Sequence, residues 1–148
     1  MKRKLYAGVL AGGLCVGTGV AAYAADTFGR LAVYDSGTLI SESSGGKVWD
    51  PANSIVDATL RITIRDTTAD GYSTYAKGQW QGKAGGLWSD LYLYKSAGAS
   101  KADGWVTKEK TATDPDLSSS ALRIKPSVCH AEPWYTPDRC DAAGYQYP

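Results

Sequence analysis

The stretch ATLRITIRD, residues 58–66, decides the fold. Successive side chains of an extended chain point to opposite faces, so Leu60, Ile62 and Ile64 share one face and Arg61, Thr63 and Arg65 the other. That alternation belongs to a strand with one side in a core and the other in water. Nowhere along the chain does an apolar period of 3.6 persist for a full helix.

Reading outward, DTTADGYSTYAKGQW (66–80) continues the strand into a turn at Asp70-Gly71 and a second run rich in Tyr and Thr, which predicts a β-hairpin. GGLWSDLYLYKS (85–96) alternates again, with Leu87, Leu91 and Leu93 only partly in phase and Tyr92 and Tyr94 on the opposite, outward face. GWVTKEKT (104–111) and SALRIKPSVC (120–129) supply two more strands, each after a polar loop. Upstream, residues 29–54 give one or two strands and a Gly45-Gly46 turn before Val48 and Trp49. About seven strands at this spacing predict an all-β protein, a small antiparallel β-sandwich. The alternative is an irregular α+β domain in which PANSIVDA (51–58) forms one helical turn.

The chain opens with Lys2, Arg3 and Lys4, an apolar and Gly-rich run, and then Ala22-Tyr23-Ala24. This is the order of a cleaved export signal, with the cut after Ala24. The expected mature chain, Ala25 to Pro148, is a single secreted domain of 124 residues. Loss of three basic residues from the 16 present leaves 13 against 15 acidic ones, a net charge of −2. The signs alternate along the chain, so no basic stripe exists to follow phosphates, and neither nucleic acid nor a membrane surface is an expected partner. Cys15 leaves with the leader, and the remaining even pair, Cys129 and Cys140, reads as one disulfide of an exported chain.

The residue types that carry chemistry are sparse. His130 is the only histidine. A zinc site needs three or four ligands, and the cysteines beside His130 are expected to be bonded to each other, so no metal and no cofactor are expected. A serine triad is formally possible, but no G-x-S-x-G elbow is present. Asp66, Asp70, Asp114 and Asp116 sit in turns and read as residues that cap their own backbone; DTTADG and DPD lack the full calcium-loop pattern. No catalytic residue is assigned.

The aromatic content says more. Five Trp and eight mature Tyr against one Phe favour rings with a polar atom, which suit half-buried or interface positions. Trp49, Trp80, Trp88 and Trp105 are candidates for the core, and at least two of them are assigned to it. Tyr92, Tyr94, Trp134, Tyr135, Tyr145 and Tyr147 are candidates for a surface. In VCHAEPWYTPDRCD (128–141) a Cys129–Cys140 bond closes a short loop in which Pro133 and Pro137 restrict Trp134 and Tyr135. That makes a preorganised contact surface. The first mature segment, ADTFGRLAVYDSG (25–37), is either a strand offered to a partner or a plain edge strand of its own sheet.

RDTTADGYSTYA (65–76), together with the leader and the C-terminal Cys pair, resembles small secreted β-sandwich proteins of filamentous actinobacteria. Some such proteins are adaptors that join a lectin-like subunit to a scaffold in large extracellular antibacterial particles, the umbrella toxins. The resemblance implies partners among other secreted proteins and assigns no residue. The expectation is therefore a secreted, non-enzymatic protein-interaction module with Trp134 and Tyr135 as its surface. The alternatives are a carbohydrate-binding module using Tyr92 and Tyr94 to bind glycans, a protease inhibitor, and a small hydrolase relying on His130 or an acid pair.

Overall fold

A computed structural model describes residues 25–52, 54 and 56–148; the predicted leader, residues 1–24, lies outside them. The described chain is a two-sheet antiparallel β-sandwich. Its elements are β1 (Asp26–Phe28), β2 (Leu31–Asp35), β3 (Thr38–Trp49), β4 (Asp57–Asp66), β5 (Thr74–Ala84), β6 (Leu87–Lys95), β7 (Val106–Thr113), β8 (Ala121–His130) and β9 (Arg139–Ala142), with one short 3-10 turn, Lys101–Asp103. One sheet runs β1-β3-β4-β7 with β2 also paired to β3; the other runs β6-β5-β8-β9. The α+β alternative is not what forms: residues 51–52 and 56 are bend and turn, with Asn53 and Ile55 of the expected helical turn outside the described residues.

Strand β4 is the centre of its sheet, and its alternation is realised. Leu60, Ile62 and Ile64 are buried, while Arg61 lies exposed on the outer face. Across the core, β5 contributes Trp80 and β8 contributes Leu122, Ile124 and Val128. Trp80 joins the layers chemically as well as by packing: its indole N–H donates to the Ala58 carbonyl of β4 at 3.0 Å, so the ring is buried without a stranded donor. The ring has room because residue 78 is glycine; a Cβ there would strike the ring and lie 2.9 Å from Leu60.

Two local expectations are corrected, and a third choice is resolved. The stretch 66–80 is not a hairpin: β4 and β5 belong to different sheets, and residues 67–73 carry the chain from one layer to the other. Both strands bury an inner face across the core, which side-by-side pairing would not provide. Gly45-Gly46 is not a turn but part of β3, paired with Thr63 and Ile62 just after a bulge in which Ser44 has no partner on β4. For residues 25–37, the plain edge strand is the reading that forms. Residues 26–28 pair with 46–48, and residues 31–35 pair with 38–43, so the segment forms an edge of its own sheet.

Candidate functional site

The hairpin of β8 and β9 sets Cys129 directly opposite Cys140, and the two are disulfide-bonded. Residues 131–138 form its tip. Pro133 accepts the Thr136 N–H at 2.8 Å, which closes a β-turn with Trp134 and Tyr135 at its two corners. Neither ring folds back onto the sandwich: Trp134 is 95% exposed and Tyr135 71%. They brace each other instead, edge to face at 5.7 Å.

The base of this turn is fixed by polar contacts as well as by sulfur. Asp138 accepts the Glu132 N–H at 3.1 Å, the Tyr75 hydroxyl at 2.6 Å and the Lys95 ammonium at 3.3 Å. The Tyr75 hydroxyl is the main influence holding the Asp138 carboxyl below its ordinary range; burial opposes it, and Glu132 N–H and Lys95 add to it. Burial, then the Asp138 carboxylate, push the Tyr75 phenol well above its usual value. Arg139 pairs with Glu132 at 3.0 Å and with Asp35 of β2. A short, doubly anchored loop of this kind presents its rings with little entropy left to lose.

Sequence reasoning found the two rings and the disulfide but not this anchor. Tyr75 and Asp138 lie 63 residues apart, and neither carries a local signal that they meet.

Tyr92 and Tyr94 share the face of Trp80 and stand edgewise against it, at 5.7 and 6.4 Å between centroids; Tyr92 stays exposed, at 39%, whereas Tyr94 is half-buried there instead of outward as expected. A bulge is the cause. The register of β6 against β5 shifts between Trp80 and Gln81, so that Tyr92 faces Trp80, Asp90 faces Gln81 and Leu91 has no partner. Leu91 then joins the inner packing, while Leu93 stays exposed. Of the four candidate core tryptophans only Trp80 is fully buried; Trp49 and Trp88 are half-buried, and Trp105 is exposed. Cations cover their rings: Lys47 and Arg61 lie over Trp49, Arg65 over Trp105, and Arg123 over both Trp88 and Tyr145. Tyr147 meets Trp88 edge-on.

His130 does find a serine and an aspartate. Its Nδ1 lies 2.9 Å from Ser41 Oγ and its Nε2 3.1 Å from Asp70 Oδ2. An ionised Asp70 accepts the Nε2 hydrogen, leaving Nδ1 to accept the Ser41 hydroxyl; Thr74 hydrogen-bonds Ser41 in turn. Burial works against the Asp70 charge, but the Tyr72 N–H, the Thr68 hydroxyl and His130 outweigh it and hold the carboxyl low. Ser41 is fully buried, so the set offers no nucleophile to a substrate in this conformation. It ties β8 of one sheet to β3 of the other. The acids otherwise behave as expected of turn residues: Asp66, Asp70 and Asp114 each accept the N–H two residues on. Among the described residues no three potential metal ligands cluster, and no helix is long and apolar enough to cross a membrane.

Fold and site together define a small disulfide-braced β-sandwich that displays an aromatic turn. No family model, curated protein or solved structure matches the chain.

Proposed function

We propose that this protein is a secreted, non-enzymatic interaction module that engages another secreted protein through the Trp134-Tyr135 turn, as an adaptor in a larger extracellular assembly. The exposure of Trp134 at the tip of a loop tied at its base carries the reading. A tryptophan left in water is a hydrophobic surface without a partner, and Trp and Tyr dominate the few residues that supply most of the energy at protein interfaces. A preorganised anchor of this kind fits an apolar pocket on the partner.

Export is part of the proposal. It is supported by the basic-then-apolar start of the sequence and by the disulfide, which persists in oxidising compartments. An assembly role draws on the resemblance described above.

The test is the double variant Trp134→Ala/Tyr135→Ala. Both side chains project from the fold, so its circular dichroism and melting temperature should match the parent. Capture of the partner should weaken about thirtyfold or more, the equivalent of an interface hot spot. Equal capture by parent and double variant would refute the turn as the binding surface.

A further inference from the structure

Near the same end of the sandwich lies a carboxylate that its own chain serves on one side only. Asp66 closes β4 and is 3% exposed. Its Oδ1 accepts the Thr68 N–H at 2.9 Å and the Thr68 hydroxyl at 3.1 Å, whereas its buried Oδ2 has no donor among the described residues. A buried acceptor without a donor is costly, and in native proteins it usually marks a place that water, an ion or a ligand completes.

Asp66 also lines two adjoining open cavities, of about 300 and 340 Å³, that share it and Lys101. Arg65 stands in the wall of the first, and Tyr72, Ser73 and Ser100 in the wall of the second. The volumes fall at the lower end of the range for small-molecule sites.

The lining selects the ligand by its charge. A divalent cation would meet Lys101 and Arg65, and it would find only Asp66 available, because Asp70 already accepts from Thr68, Tyr72 and His130. An anion would meet Asp66. A neutral molecule bearing several hydroxyls suits all three walls: one hydroxyl donates to a carboxylate, another accepts from an ammonium, and a C–H face rests on an exposed ring. Tyr72 supplies such a ring, 40% exposed.

We infer that this paired cavity is a saccharide site, in which Asp66 accepts a sugar hydroxyl, Lys101 donates to a second, and Tyr72 is the stacking face. Oδ2 is covered in this conformation, so a ligand reaches it only when the cavity wall yields. The site is distinct from the aromatic turn but close to it, since Ala131, at the start of that loop, donates its N–H to the Ser73 carbonyl at 2.9 Å. It extends the protein-binding reading without depending on it.

The experiment is a titration of the 15N-labelled mature chain with glucose, galactose, mannose and N-acetylglucosamine, followed by amide chemical shifts. At least one sugar should move the amides of Thr68, Tyr72, Ser73 and Lys101 along a saturating curve. Tyr72→Ala, at an exposed position, and Asp66→Asn, which replaces the acceptor with a donor, should each weaken that sugar about tenfold or more. Trp134→Ala should leave its affinity unchanged, which separates this site from the turn. If Asp66→Asn fails to fold, Tyr72→Ala alone decides. Four flat titrations would overturn the inference and leave Oδ2 to solvent; so would unchanged affinity in the variants that fold.

Discussion

At the scale of single residues, the same side chain changes meaning with what surrounds it. His130 with a serine and an aspartate in reach has the parts list of a hydrolase, yet Ser41 is sealed between the sheets and hydrogen-bonds Thr74 as well as the ring. The set acts on stability. Ser41→Ala leaves the buried Nδ1 of His130 without its donor and should cost about 1–3 kcal/mol in urea unfolding, while partner capture per folded molecule stays the same. A loss of capture at unchanged stability would mean the network belongs to a working site. The sequence shows that His130 stands alone but not that it is buried, because an inward position on β8 depends on which of two alternating registers the sheet adopts. For Trp134 and Tyr135 the reverse holds. Two prolines and two cysteines around them are local, and their exposure was legible.

At the scale of elements, the dipeptide Gly-Gly occurs twice among the described residues, with different outcomes. Gly85 and Gly86, both at positive φ, make the two-residue turn joining β5 to β6. Gly45, also at positive φ, continues β3 beside the bulge at Ser44, and a Cβ at Gly46 would collide with the Arg61 carbonyl and the Phe28 ring. Nothing in four residues of sequence distinguishes them; the difference is made by Phe28 and Arg61, which arrive from β1 and β4. Likewise Asp70-Gly71 looks like a hairpin turn, but the strands it joins have inner faces that must oppose each other across the core. The β8–β9 hairpin is the element on which function is proposed to rest. Replacing both Cys129 and Cys140 by Ser opens a short closed loop and should cost about 3 kcal/mol. Partner capture should fall too, because the turn loses part of its base. Undiminished capture by the folded double-serine variant would show that preorganisation of the turn is unimportant.

At the scale of the whole molecule, stability is linked to acid through carboxylates whose folded forms are favoured. Glu42 is an example: burial pushes its carboxyl up, but hydrogen bonds and charge from Arg30 and Arg65 overcome this and hold it low. Asp70, Asp114 and Asp138 are held low as well. A carboxyl with a lowered folded pKa contributes its stability above the unfolded value and loses it as pH falls through the folded one. The urea midpoint should therefore drop from about pH 4 downward, below the ordinary carboxylate range, and Asp138→Asn should flatten part of that drop. A midpoint that holds constant to pH 2 would contradict the assigned contacts. The sandwich itself was legible at this scale, because alternation in 58–66 and the recurring turn residues needed no partner to be read. The sheet assignment of each strand was not, since it is fixed by contacts between segments far apart in sequence. In the proposed function the protein works by holding another protein on its aromatic turn. The most direct test is gel filtration of the native protein from clarified culture medium, with mass spectrometry of co-eluting chains, beside a strain carrying Trp134→Ala/Tyr135→Ala. The parent should elute well above the mass of a lone domain with the same companions each time, and the variant as the free domain. A parent that elutes alone, or a variant that keeps its companions, would contradict it.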